Sequence, residues 1–120
     1  MRQSGILAAA ALHALEHHLA RLADDHATAR SFAEVVAGAA GARVVAPDTN
    51  IVMVDLPEGT TSATVVAAAA EQGVRVTPWS MSRIRAVTHL DVDAVAVTRA
   101  GEVVRWAIES GALHRNRAAV

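Results

Sequence analysis

The fold is decided by the stretch from residue 43 to residue 55, which reads RVVAPDTNIVMVD. It holds two runs rich in β-branched residues, 43–46 and 50–55, on either side of a Pro-Asp pair. Such runs, bounded by turn-forming residues, are typical of β-strands. Pro57 and Gly59 follow the second run and close it. The sequence therefore predicts two consecutive strands at this point of the chain.

Two helices are predicted before these strands. Apolar residues recur at three- and four-residue spacings from Gln3 to about Glu16, and again from Leu19 to about Val36. Alanine, the best helix former, supplies many of them. The glycines that follow Val36 are plausible C-terminal stops for the second helix.

The rest of the chain continues the pattern after the two strands. A third helix is predicted from a Thr or Ser cap to about residue 72, then short strands at 74–77 and 84–88, then a final helix beyond Asp91. Gly101 weakens the prediction in the middle of that helix, whose end should fray in a polar tail. The order predicts an α+β fold with a small, mostly antiparallel sheet of about four strands, covered by helices on one face.

Composition limits the possible partners and setting. A chain of 120 residues with a net charge of -1 and a pI near 6.6 is one domain without a broad basic field, so neither nucleic acid nor a membrane surface is expected as a partner. No stretch approaches the roughly 20 apolar residues that span a bilayer. The chain has no cysteine, which excludes thiolate metal sites and cysteine nucleophiles and makes the reducing cytoplasm the expected setting.

One short motif in the first helix has the spacing of a metal site. His13, Glu16 and His17 match the His-x-x-Glu-His pattern of the inverted zinc peptidases, and histidines four residues apart share a helix face. Two histidines and a general base still lack a third ligand. A solvated polar helix face is the alternative, and a zinc hydrolase is the minor hypothesis.

The fourth predicted strand carries two candidate binding residues. Arg83 and Arg85 alternate with Ile84, so both guanidinium groups should project from the face opposite Ile84. This arrangement can clamp a carboxylate. Two surface arginines on a solvated sheet face are the alternative.

The residues after that strand do not predict a catalytic relay. Thr88, His89 and Asp91 supply a hydroxyl, a base and a carboxylate, but adjacent residues on a strand point to opposite faces. We expect Thr88 or Asp91 to cap the final helix instead.

Four segments resemble the low-specificity L-threonine aldolases, in the same order and at similar separations. Together they cover residues 1 to about 110, and Arg85–Asp91 is the most specific of them. Only Ser4 departs from the family's usual Met-Arg-Gln-Ala-Gly, whereas the chain after Asp91 is more apolar than the family pattern. The four segments are MRQSG at 1–5, RLADDH at 21–26, DTN at 48–50 and RAVTHLD at 85–91.

The resemblance implies an enzyme of fold type I that cleaves L-threonine or L-allo-threonine to glycine and acetaldehyde. Its pyridoxal phosphate would be held mainly by a large N-terminal domain, which this sequence lacks. The resemblance also implies that Arg85 binds the α-carboxylate of the substrate and that Arg2 lies near the cofactor. Full-length members are expected to be homo-oligomers.

The basic residues set a limit on what this chain does alone. All eleven are arginine, and a guanidinium does not replace the lysine amine that forms the cofactor's Schiff base. We therefore expect neither a bound cofactor nor activity from the isolated chain. Because Met1 lies inside a family motif, we expect a truncated product, a fragmentary gene model or half of a split gene.

The resemblance also suggests a domain organisation and an alternative function. Residues 1–17 would form an interdomain helix, residues 18–111 the C-terminal substrate domain, and residues 112–120 a polar tail. The alternative function is a non-catalytic interaction module that pairs with an intact aldolase subunit.

Overall fold

A computed structural model describes residues 3–118 of the chain and the side chains through residue 111. The elements follow one another in the predicted order, four helices and four strands. They are α1 (Ser4–His17), α2 (Leu22–Ala37), β1 (Arg43–Val45), β2 (Ile51–Asp55), α3 (Ser62–Glu71), β3 (Thr77–Ser80), β4 (Arg83–Val87) and α4 (Ala94–Ala118).

The four strands form one antiparallel sheet in the order β1-β2-β4-β3. In the centre, β2 and β4 pair over their full lengths, from Ile51 opposite Val87 to Asp55 opposite Arg83. The stretch that predicted two strands therefore supplies an edge strand and a central strand. The α+β prediction is confirmed.

Helices cover one face of this sheet. Side chains alternate across a strand, and the inward set is fully or almost fully buried. It packs against α2, α3 and α4, and each buried valine or isoleucine contributes about 1.5–3 kcal/mol through the hydrophobic effect. The inward side chains are Val52, Val54, Ile84 and Ala86, and the helical side chains that meet them include Phe32, Val36, Val65, Val104 and Ile108.

The third strand begins three residues later than predicted. Gly73 has a positive φ of 79°, and the N–H of Val74 donates to the carbonyl of Ala69, which closes the end of α3. This bond, from the second residue past the C-cap Gln72, is the Schellman pattern. Val74 is thus used to end a helix, and the strand starts only at Thr77.

The final helix is longer and more regular than predicted. Its N-terminus is capped by Asp93, whose Oδ1 accepts from the N–H of Ala96 at 2.8 Å, so the expected capping by Thr88 or Asp91 is wrong. Asp93 stands immediately before the helix, where a carboxylate reaches the free N–H groups of the first turn. The helix continues to Ala118, so most of the predicted polar tail is helical.

Helix α1 lies apart from the packed body. It has no buried residue, and large apolar side chains such as Ile6 and Leu15 are exposed. The described chain is accordingly elongated, with extents of 63 × 30 × 23 Å. No helix within residues 3–118 has both the length and the apolarity needed to cross a membrane.

Candidate functional site

The two candidate arginines lie on the sheet face that the helices leave uncovered. Ile84 is fully buried between them, whereas Arg83 and Arg85 are half-buried on the opposite side. The alternation predicted from sequence is therefore confirmed. The central position of β4 places Arg85 between Met53 of β2 and Thr77 of β3.

Arg83 has a carboxylate partner. Its Nε donates to Oδ1 of Asp55 at 2.5 Å, and Nε of Arg43 donates to the other oxygen of Asp55 at 3.3 Å. The hydrogen bond from Arg83 lowers the pKa of the Asp55 carboxyl, and the same bond raises the pKa of Arg83. The three side chains form a cross-strand ion-pair network, so the Arg83 charge is already matched within the sheet.

Arg85 has no carboxylate partner among the described residues. Its guanidinium carbon lies 5.2 Å from the ring centroid of Trp79, within the range of a cation–π contact. The Arg85 Nε is buried and makes no hydrogen bond within the described chain. A half-buried cation whose charge is not neutralised is suited to an anionic ligand. Of the two arginines, only Arg85 therefore offers its charge to a ligand.

A hydrogen-bond network fixes the end of the strand that carries Arg85. Asn50 and Thr88 are joined by two bonds, from the Asn50 Nδ2 to the Thr88 carbonyl at 2.7 Å and from the Thr88 N–H to the Asn50 carbonyl at 3.0 Å. The buried Thr88 hydroxyl donates to the Asp25 carbonyl at 2.7 Å, and Arg21 donates to the Asp25 carboxylate at 2.6 Å. These residues come from three of the segments that carry the family resemblance, and they meet at one end of β4.

The residues after β4 do not form a relay, as the sequence predicts. The Thr88 hydroxyl is directed to the Asp25 carbonyl, and His89 is exposed. Nδ1 of His89 accepts from the N–H of Asp91 at 3.3 Å, which is a local turn contact.

The histidine motif of α1 brings imidazole rings together without completing a metal site. The ring centroids of His13 and His17 are 4.4 Å apart, as expected for positions four residues apart. Among the residues described, no group of three or more His, Asp or Glu side chains could hold a metal ion. Arg2, the candidate cofactor residue, lies outside the described residues.

A separate cavity of about 540 Å³ opens between residues 73–76, the end of β4 and the start of α4. Its lining is mostly apolar and includes Phe32 and Val97 from the core side of the sheet. Arg85 is not among the lining residues. The cavity is therefore distinct from the carboxylate-binding candidate on the uncovered face.

Sequence reasoning missed two contributors to the Arg85 region. Trp79 lies on β3, whose start was predicted wrongly, so no pattern linked it to Arg85. Asp25 lies in the RLADDH segment that carries the resemblance, but it contacts Thr88 through its main-chain carbonyl, and residue type does not reveal such a contact. For Asn50, the resemblance of the Asp-Thr-Asn segment was the available signal.

Sequence comparisons with known proteins point to one group of enzymes. A sequence model of the beta-eliminating lyase family matches residues 1–58. The chain is 42% identical over 101 residues, or 81% of its length, to a probable low-specificity L-threonine aldolase 2 of Arabidopsis thaliana. It is 42% identical over 93 residues, or 77% of its length, to the low-specificity L-threonine aldolase of Escherichia coli K12. It spans 28% and 26% of these two relatives, about a quarter of their length.

Solved structures show the same fold at low identity. A multiple substrate aminotransferase from Thermococcus profundus superposes over 85% of this chain and 28% of its own, with a TM-score of 0.68 and 17% identity. An α-aminoadipate aminotransferase from Thermus thermophilus, complexed with a phosphopyridoxyl-leucine, superposes over 72% of this chain and 25% of its own, with a TM-score of 0.61 and 14% identity. The described chain thus has the fold of part of a fold-type I pyridoxal phosphate enzyme. In sequence, the chain is similar to a segment of the low-specificity L-threonine aldolases, in agreement with the resemblance of its motifs to that family.

Proposed function

We propose that this chain is the substrate domain of an L-threonine or L-allo-threonine aldolase and that Arg85 binds the α-carboxylate of the amino acid. The observation that carries the proposal is the contrast between two neighbouring arginines. Arg83 is neutralised by Asp55, whereas Arg85 makes no ion pair within residues 3–111. A planar guanidinium is well suited to bidentate binding of a carboxylate.

The residues of this chain do not fit a complete pyridoxal phosphate site. The cofactor is joined to its enzyme through a lysine amine, and this sequence contains no lysine. We therefore assign the chain a binding and orienting role, and assign the cofactor chemistry to a large domain that carries the lysine. In this proposal the isolated chain neither holds the cofactor nor cleaves threonine.

We propose a division of the chain into three parts. Residues 1–17 are the helix that joins the two domains, residues 18–111 are the substrate domain, and residues 112–120 are its polar end. The exposed apolar side chains of α1 support this division, since they offer a surface for a large domain. We place the assembled enzyme in the cytoplasm as a homo-oligomer. The absence of cysteine is compatible with that compartment.

The test of this proposal is reconstitution. The chain is co-expressed with the large domain of a low-specificity threonine aldolase, and threonine cleavage is measured by the acetaldehyde formed. In the active pair, Arg85→Ala should lower kcat/KM by roughly 10- to 150-fold, the equivalent of a charge-assisted hydrogen bond worth about 1.5–3 kcal/mol. Arg85→Lys should recover only part of the loss because it lacks the planar fork.

Arg83→Ala is the matched control, since it removes an arginine from the same strand and face. It should lower the free energy of unfolding, because it breaks the ion pair with Asp55, and it should leave kcat/KM nearly unchanged. Equal losses of turnover in the two alanine variants would argue against a special role for Arg85. Full activity of Arg85→Ala would remove that role.

A second candidate function is an interaction module that pairs with an intact aldolase subunit. The exposed apolar side chains of α1 favour it as well, because they would pack on a subunit that already has its own substrate domain. Size-exclusion chromatography with a full-length relative distinguishes the two. A mixed species without a change in turnover supports the module, and the absence of any mixed species contradicts it.

A further inference from the structure

Trp79 occupies an irregular position beside Arg85. Pro78 pairs with Ile84, but Ser80 pairs with Arg83, so the register between β3 and β4 shifts by one residue. Trp79 lies between the two pairs and is the extra residue of a β-bulge. Bulges re-aim side chains and occur frequently beside functional sites. Here the indole lies next to the guanidinium, and Trp79 as a whole residue is 58% exposed.

The Arg85 guanidinium is not equally accessible at all its nitrogens. Its Nε is buried without a hydrogen bond in the described chain, whereas the residue as a whole is only partly buried. A carboxylate can bind a guanidinium either across Nε and one Nη or end-on across both Nη groups. Burial of Nε blocks the first mode and leaves the second.

We propose that Trp79 is a positioning residue: its indole holds the Arg85 guanidinium so that a substrate carboxylate binds end-on, through the two Nη groups. The inference rests on the proposed role of Arg85. The contact with the indole restricts the movement of the guanidinium and leaves its outer edge free. An arginine that is already ordered loses less conformational entropy when it binds its ligand.

The test begins with NMR of the complete isotope-labelled chain. The ring current of an indole displaces nearby protons upfield, so the Arg85 Hδ and Hε resonances should lie upfield of their ordinary positions. Trp79→Leu should abolish this displacement. Trp106→Leu, which removes the other tryptophan of the chain, should preserve it. Arg85→Lys identifies the resonances.

Carboxylate probes then test the binding mode. Acetate and L-threonine should shift the Nη resonances of Arg85 and leave the Nε resonance nearly unchanged. L-Threoninamide, which has no carboxylate, should shift neither resonance. Trp79→Leu should weaken probe binding by roughly two- to thirty-fold, as expected for loss of a cation–π contact. Trp79→Phe should retain most of the affinity. In the reconstituted enzyme, Trp79→Leu should raise KM more than it lowers kcat.

The outcomes separate this inference from the proposed function. Ordinary Arg85 shifts in the unmodified chain would overturn the positioning by Trp79 and leave the Arg85 proposal standing. Displaced shifts without a response to either carboxylate would overturn the proposed role of Arg85 and the end-on binding with it. A response at Nε as large as that at Nη would contradict the end-on mode.

Discussion

Two arginines separated by one residue have different environments on the same sheet face. Asp55 lies directly opposite Arg83 on β2, so Arg83 gains a cross-strand ion pair. Met53 lies opposite Arg85, and a thioether supplies no charge to match a guanidinium. The local difference between an aspartate and a methionine on the neighbouring strand therefore selects which arginine is available to a ligand.

The Asp55 network gives a pH-dependent contribution to stability. The Asp55 pKa is lowered in the folded state from its ordinary value of 3.8, so the stabilisation is present above that value and is lost as pH falls through the lowered pKa. Asp55→Asn should reduce the free energy of unfolding at pH 7, and the gap from the unmodified chain should narrow below about pH 4. Urea denaturation across this range measures the gap. Asp48→Asn, at an exposed position, is the control, and an Asp55 gap independent of pH would contradict the prediction.

The buried hydroxyl of Thr88 joins the end of β4 to helix α2. Replacing it in Thr88→Val keeps the shape but removes the 2.7 Å bond to the Asp25 carbonyl. The loss should be about 1–3 kcal/mol, the usual effect of breaking a buried hydrogen bond. Thr98→Val removes a comparable hydroxyl from an exposed helix position and should cost far less. Equal unfolding midpoints for Thr88→Val and the unmodified chain would show that the bond contributes nothing.

At the residue scale, sequence determined the direction of the arginines but not their partners. Alternation along a strand is a local property, so the common face of Arg83 and Arg85 could be predicted. The Asp55 partner is 28 positions away from Arg83, and its pairing depends on the register of two strands. The contact between Trp79 and Arg85 depends on a bulge, which residue types alone do not reveal.

At the element scale, Gly101 allows α4 to pack closely against α2. A Cβ built on Gly101 would lie 2.9 Å from the Cβ of Val35, which is closer than real Cβ contacts allow. Gly101 therefore lets α4 approach α2, the helix against which it packs. The doubt that this glycine raised in the sequence came from intrinsic helix propensity, and tertiary packing overrides that preference.

Replacing glycine by alanine inside a helix usually stabilises it, but at Gly101 the replacement should be destabilising. Gly101→Ala gains about 1 kcal/mol in propensity but meets an overpacking cost of about 1–3 kcal/mol, so we expect a net loss of stability. Val35→Ala removes the Cγ1 contact at 3.0 Å but keeps the Cβ, so in that background Gly101→Ala should cost less while remaining destabilising. Gly5→Ala, where nothing lies within 4 Å of the added atom, is the control. A stabilising Gly101→Ala in the unmodified background would contradict the packing explanation.

The order and type of every element could be predicted from periodicity and turn residues. The boundaries of helices and strands were harder to predict where one residue has features of two elements. Val74 has the side chain of a strand residue, yet its N–H closes α3, and this moves the start of β3 to Thr77. Asp93 and Asp91 are equally good caps by type, and only the position of the first helical turn selects Asp93.

At the scale of the whole molecule, α1 is separable from the packed body. None of its residues is buried, and its large apolar side chains are exposed. Removing residues 1–17 should change the free energy of unfolding of the rest by less than about 0.5 kcal/mol, the range of surface substitutions. The shortened chain should also self-associate less, because the truncation removes exposed apolar surface. Thermal denaturation and size-exclusion chromatography measure both effects, and loss of cooperative unfolding would contradict the prediction.

The two faces of the sheet have different roles, because helices cover only one of them. One sheet face forms the core, and the other presents Arg85 and Trp79 without helices of the described chain over it. A substrate bound to that face would contact the chain from one side. The remaining groups needed for aldol cleavage, above all the amine that joins the cofactor, must therefore come from a large domain in our proposal.

The most direct measurement is acetaldehyde formation from L-threonine by the purified chain supplied with free pyridoxal phosphate. Our account predicts a rate no higher than that of the cofactor in buffer, and cleavage only after the large domain of an aldolase is added. A rate well above that of the free cofactor without any large domain would contradict it.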